Sequence, residues 1–231
     1  MNESLQTIYG GGSFISADQR NRVLRNTYWL LALSLIPTVL GAWIGVSTGI
    51  MLTMGTGMSL LVFFGGAFGF MYAIAKTKDS AAGVGVLLAF TFFMGLMMSR
   101  LLAVVLDYKN GAGLIMTAFG GTAGVFFAVA SMATVIKRDL SSMGKFLFVG
   151  ALAVIIGGVL NALFFHSGPM MLAISVISIG IFSAYMLYDI KQVIDGGETN
   201  YITATLQIYL DLINVFQNLL VLLTSLSGER D

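Results

Sequence analysis

Several residue types are scarce, and each shortage excludes something. There is no cysteine, so disulfides, thiolate metal sites and a cysteine nucleophile are all ruled out. The single histidine, His166, cannot by itself build a histidine-based metal cluster. Proline is confined to Pro37 and Pro169. Charged residues make up 10% of the chain, whereas a soluble domain carries roughly 25% because its surface must face water. The net charge of +1 supplies no basic surface for nucleic acid. No Walker A loop, Gly-x-Ser-x-Gly elbow or His-Glu-x-x-His helix is present, so no enzyme chemistry is indicated.

What the chain does have is apolar surface. Hydrophobic residues account for 57% of its 231 positions, and the mean hydropathy is +0.90. Most of the outside must therefore face something as apolar as the inside, and a bilayer is that solvent. Seven apolar runs follow a polar segment, at about 27–48, 57–75, 82–106, 113–136, 146–165, 170–190 and 203–225. Each approaches the ~20 residues needed to cross ~30 Å of hydrocarbon, and only helices satisfy their own backbone in lipid at that length. The fold class predicted is all-α and integral to the membrane: residues 1–26 as a cytoplasmic N-terminal segment, and 27–226 as one seven-helix transmembrane domain. No cleaved signal peptide is expected, because the first apolar run is long enough to span.

Ser16-Ala-Asp-Gln19 carries a helix-start signature, Gln three residues after Ser, and suggests a short interfacial helix. Runs two and three are separated only by Lys76-Thr-Lys-Asp79, which demands a tight turn. The basic residues predict orientation. With the N-terminus cytoplasmic, that side receives Arg20, Arg22, Arg25, Lys76, Lys78, Lys137, Arg138, Lys145 and Lys191. The opposite side receives Lys109 and Arg230, and an odd number of spans puts the C-terminus outside. Gly41, Gly45 and Gly49 share one helix face, as do Gly65 and Gly69, and Gly120 and Gly124. Such stripes serve close helix packing, either within the bundle or between copies.

Ionisable groups inside a membrane are costly and mark function. Asp211 lies within the last apolar run, and Gln207, Asp211, Asn214 and Asn218 fall on one helical face. A polar stripe of that kind predicts a last helix inside the bundle, with the stripe along a cavity or polar seam. Asp189 closes the sixth run and shares a face with Tyr185 and Gln192. The sixth and seventh runs meet on one side of the membrane, so Asp189 and Asp211 reach similar depths. Two carboxyl groups meeting away from water share one proton; such a pair responds to pH and, once deprotonated, offers hard oxygens to a cation. The plainer alternatives are an interfacial Asp189 facing water and an Asp211 that glues helices together. Arg100 is expected to snorkel to the outer interface rather than to gate. His166 is expected in a solvated outer loop, and Asp195-Gly-Gly-Glu198 in a flexible acidic cytoplasmic loop.

At these residues the chain resembles a known family. Tyr188-Asp189-Ile, then Tyr209-Leu-Asp211-Leu-Ile-Asn214-Val-Phe216-Gln-Asn-Leu-Leu220, resemble the Bax inhibitor-1 family of transmembrane BAX inhibitor motif proteins. Lys137-Arg138-Asp139-Leu140 and Phe92-Phe-Met-Gly95 fit as well. The similarity spans nearly the whole chain and is greatest to bacterial, YccA-like members that modulate the membrane protease FtsH. It implies a last helix surrounded by the other six, and a pH-sensitive calcium leak gated by an aspartate pair matching Asp189 and Asp211. Calcium would be the permeant ion, bound transiently by that pair, and no cofactor is implied. The resemblance also implies a basic latch at the cytoplasmic end of helix two. The nearest match, Lys76-Thr77-Lys78, brings lysine charge without arginine's bidentate fork. The family's acidic residue inside helix two has no counterpart here. Two functions remain open at this level: a cation leak, and a non-transporting regulator that engages a membrane protease through the tail Met1 to Asp18. The sequence sets no oligomeric state. The Gly-x-Gly-Asp context of an intramembrane aspartyl protease is missing around both aspartates.

Overall fold

The computed structural model describes residues 16–228. The N-terminal tail read from the sequence therefore lies, up to residue 15, outside the described residues. Seven α-helices follow one another: α1 (Ala17–Thr48), α2 (Thr56–Thr77), α3 (Ala81–Leu106), α4 (Gly111–Val135), α5 (Met143–Leu160), α6 (Gly168–Asp195) and α7 (Tyr201–Ser227). A π-helical turn, Asn161–Phe165, extends α5. All seven spans are long and apolar enough to cross a membrane.

The helix ends are written in local chemistry. Ser16 and Gln19 form a reciprocal capping box, each side chain receiving the other's backbone N–H at 3.2 Å. The signature is genuine, but it opens α1 itself. Among the described residues no separate interfacial helix precedes it, and Arg20, Arg22 and Arg25 ride on the first turns of a 32-residue rod. Such a rod measures roughly 48 Å, well beyond the hydrocarbon thickness, so its basic turns project past the core of the bilayer. The helix runs unbroken through Pro37. Asn200 caps α7: its Oδ1 accepts from Ile202 N at 2.9 Å and from Thr203 N at 3.1 Å. Its Nδ2 donates to the Lys78 carbonyl at 3.0 Å and to Asp79 Oδ1 at 2.9 Å. One side chain thus starts the last helix and ties it to the tight turn between α2 and α3.

Close packing concentrates between α1 and α3. A Cβ added at Gly41 would strike the Phe92 carbonyl, and one at Gly95 would strike the Thr38 carbonyl. These glycines let two backbones touch, as small residues do in membrane bundles. The other stripes differ: Gly65, Gly69, Gly120 and Gly124 meet nothing within 4 Å. A glycine repeat on one helix face cannot reveal whether a neighbour occupies it.

The seventh helix packs against α1, α3, α4 and α6 and, more lightly, α2, while α5 lies along α6. Its sequence explains this many-sided burial. Ile208, Tyr209, Ile213, Val215 and Leu220 are all buried and point to several sides of one helix.

Candidate functional site

The site grows from the last two helices. Asp189 sits six residues before the end of α6, and Asp211 ten residues after the start of α7. At 1.5 Å per residue they lie roughly 9 and 15 Å from the connecting loop, on adjacent antiparallel helices. Both are buried, with 6% and 4% of their surface exposed. The two carboxyl groups lie close enough to interact directly. A carboxylate only accepts, so a hydrogen bond between them requires one shared proton. Asp211 Oδ2 meets no hydroxyl, amide or ammonium donor among the described residues. Glu198, in the loop between the two helices, also acts on Asp189 electrostatically. Tyr185 faces both aspartates from α6 and stacks on Phe182 with ring centroids 6.5 Å apart.

The polar stripe of α7 behaves differently from a sealed seam. Asn214 and Asn218 are half-buried, and Gln207 is exposed near the helix start. Asn214 Nδ2 donates to the Leu210 carbonyl and Asn218 Nδ2 to the Asn214 carbonyl, each at 2.8 Å. Both amides thus serve their own helix instead of bridging to another. Gln217, unremarked in the sequence, joins the same half-buried face; the signal for it was its position three residues beyond Asn214.

Other predicted residues fall away from the pair. Lys76 is exposed, its Nζ 5.6 Å from the centroid of the Tyr72 ring. The Lys78 carbonyl is occupied by Asn200. Among the described residues no ion pair joins either lysine to Asp189 or Asp211, and Lys76 lies over an aromatic ring one turn earlier on its own helix. Arg100, near the end of α3, reaches the connection between α1 and α2. It donates to the Met54 carbonyl at 3.3 Å and to Ser59 Oγ at 3.2 Å, stapling the connection between α1 and α2. His166 is exposed and takes a left-handed backbone, φ 49°, directly after the π turn. Lys191 is buried and pairs with Asp195 at 2.6 Å.

Metal binding is limited by the donor set. No group of three or more His, Cys, Asp or Glu side chains gathers among the described residues. Two carboxyl groups offer at most about four of the six to eight oxygens that calcium prefers.

Seven membrane-length helices with a buried pair of aspartates on the last two define a polytopic membrane protein with an intramembrane acidic site. The chain belongs to the Bax inhibitor-1 family: the family described as "Inhibitor of apoptosis-promoting Bax1" matches residues 20–228. Among its relatives is the "Modulator of FtsH protease YccA" of Escherichia coli (strain K12), 37% identical over 203 residues, covering 88% of this chain and 90% of that one. A Pseudomonas aeruginosa protein is 36% identical over 215 residues, covering 92% and 94%. A Neisseria meningitidis serogroup A protein is 34% identical over 216 residues, covering 91% and 93%.

Proposed function

We propose that this protein is a passive, pH-responsive cation leak of the bacterial inner membrane, with calcium the favoured ion and the Asp189–Asp211 pair as its gate. The observation that carries this reading is the close pairing of two buried carboxyl groups on neighbouring helices. One shared proton holds α6 and α7 together. Loss of that proton leaves two negative charges in contact in a poorly hydrated place, where repulsion far exceeds its value in water. The helices separate, and the same oxygens become a transient site for a hard cation. In this reading α7 is the central helix of the bundle, which its packing against α1, α3, α4 and α6 supports. The N-terminus is cytoplasmic and the C-terminus outside, as the basic residues favour. Residence in the inner membrane is supported by an Escherichia coli O6:H1 relative named "Inner membrane protein YccA". The reading treats the chain as a transporter and not an enzyme. The test is calcium flux into proteoliposomes while pH is stepped. Wild type is expected to open as pH rises, and the double variant Asp189→Asn, Asp211→Asn to lose the response. A response that survives both substitutions sinks the gate.

A second reading is favoured by a specific observation, the name of the relative that modulates FtsH protease. Here the chain binds a membrane protease and changes its turnover of substrates without conducting ions. Removing residues 1–15 separates the two: the regulator is expected to lose its effect on the protease, while the leak keeps its flux.

A further inference from the structure

Helices α4 and α5 follow one another in the chain and both pack on α6, yet they make no substantial contact with each other among the described residues. The sides of α6 can be told apart residue by residue. Ile174, Ile181 and Tyr188 form the side toward α5, where they meet Gly157, Gly150 and Gly144. Ser175, Phe182 and Met186 form the buried side. A third strip remains at helical spacing: Val176, Ile177, Gly180, Ala184 and Lys191. Val176, Ile177 and Gly180 are exposed, and a Cβ added at Gly180 would meet nothing within 4 Å. The strip ends at Lys191, which is buried, pairs with Asp195 and also interacts with Asp139 of the α4–α5 connection. That connection, residues 136–142, therefore crosses the end of the strip. The strip is the floor of a groove walled by α4 and α5.

The walls change character at that end. Val135 on α4 and Phe146 on α5 are exposed and apolar. Next to them stand Lys137, Arg138 and Lys145, all exposed, and no carboxylate among the described residues pairs with any of the three. The acidic residue of the connection, Asp139, is already taken by Ser141, whose hydroxyl and backbone N–H both donate to it. The groove is thus cationic at its mouth and apolar along its length. The ligand that fits is anionic at one end and hydrocarbon beyond. A second copy of the chain, set in the groove by a two-fold axis along the bundle, would instead bring three further cations to the mouth.

We propose that the α4–α5 groove holds one anionic phospholipid, with its phosphate at Lys137, Arg138 and Lys145 and an acyl chain along Ile177, Gly180 and Ala184. Each lysine or arginine at a membrane surface adds its own attraction for anionic lipid, so three together discriminate against a zwitterionic one. The site is separate from the carboxyl pair and stands whether the chain conducts ions or regulates a protease.

The absence of native cysteine allows a single label in the full chain. A bimane is attached at Gly180→Cys and, as a control, at Phe68→Cys on the exposed face of α2. Each protein is reconstituted in phosphatidylcholine with a minor share of brominated-chain phosphatidylglycerol or, in parallel, of brominated-chain phosphatidylcholine. At Gly180→Cys, phosphatidylglycerol is expected to quench at an about tenfold lower share than phosphatidylcholine, and at Phe68→Cys the two should match. Lys137→Gln, Arg138→Gln and Lys145→Gln together should abolish the difference. Lys76→Gln with Lys78→Gln, in the α2–α3 turn, should preserve it. Equal quenching at Gly180→Cys overturns the site. So does a difference that survives the triple substitution, or one that vanishes equally in the Lys76 and Lys78 variant and so reports only a general surface potential. Energy transfer between Gly180→Cys labels on separate chains assigns the groove to a second copy and overturns it as well. Loss of the difference on adding millimolar inorganic phosphate assigns the mouth to a free anion, with the same consequence. Native mass spectrometry needs no label: the unsubstituted chain should retain phosphatidylglycerol over phosphatidylcholine and the triple variant should not, and an unsubstituted chain without that preference overturns the site.

Discussion

Tyr209 of α7 and Thr38 of α1 join hydroxyls at 2.8 Å in a place where neither side chain is open to solvent. Thr38 Oγ1 also bonds to the Ser34 carbonyl at 2.8 Å, and Tyr209 reaches the Thr91 carbonyl at 3.4 Å. The Tyr209 ring meets Phe90 edge-on, with centroids 6.2 Å apart. Three helices therefore share one polar node, two residues from Asp211 and on a different side of α7.

This node should be unequal in its two halves. Tyr209→Phe removes one hydroxyl and leaves Thr38 bonded to Ser34, at an expected cost of about 1 kcal/mol. Thr38→Val takes from the buried phenol its nearer partner and should cost more, about 1–3 kcal/mol. The double variant should cost less than the sum, since both changes act on one interaction. Thermal unfolding in detergent checks the order.

The carboxyl pair makes a distinctive prediction about single substitutions. In Asp211→Asn, an amide N–H can donate to the Asp189 carboxylate with no proton required, so the helices should stay joined at every pH. In Asp211→Ala no bond is possible, and the leak should stay open. Each variant should change its flux by less than about twofold across neutrality, but from opposite baselines. Calcium entry into vesicles at two pH values on either side of neutrality distinguishes them.

Glycine substitutions should separate touching helices from open ones. Gly95→Ala drives a Cβ into the Thr38 backbone carbonyl, and a backbone atom cannot rotate out of the way. The expected loss is about 1–3 kcal/mol or failure to insert. Gly65→Ala meets nothing within 4 Å and should be neutral or slightly stabilising, because alanine is the better helix former. Parallel melts of the two variants are the check.

Outside the membrane, Asp139 has a depressed pKa because the Ser141 hydroxyl and then the Ser141 backbone N–H bond to its carboxylate, at 2.6 and 2.8 Å. A carboxyl group whose folded pKa lies below its unfolded one supports the folded turn above the unfolded value. That support is lost as pH falls through the lower folded value. The turn entering α5 should therefore be unaffected by pH near neutrality and loosen only in acid below the ordinary aspartate range. Ser141→Ala should move the Asp139 titration upward. Carboxyl NMR titration, with hydrogen exchange at the start of α5, reads both effects.

The sequence carried the spans and the carboxyl pair for related reasons. Hydrophobic length fixes a membrane helix almost alone, and a carboxyl group within such a run has few places to go. Asp189 and Asp211 follow from that and from the short connection between their helices. What failed to show was anything depending on which neighbour occupies a face. Gly41 and Gly65 look alike in sequence, yet only the first is touched. Arg100 found a partner in the loop around Met54, distant in the chain. Lys76 lies over Tyr72, an aromatic one turn away on its own helix. The stripe on α7 was visible, but not that Asn214 and Asn218 would spend their nitrogens on their own backbone.

The joint at Asn200 turns the last helix into a lever. Its foot is pinned to the turn of Lys78 and Asp79, so a tilt would pivot there. A helix of 27 residues spans roughly 40 Å, and a swing of about 5° carries its far tip roughly 3.5 Å while Asp211, near the pivot, moves only about 1.4 Å. That smaller excursion already exceeds what a hydrogen bond tolerates. In the proposed leak, parting the two carboxyl groups near the fulcrum and widening the distal end of the bundle would thus be the same motion, seen at two radii.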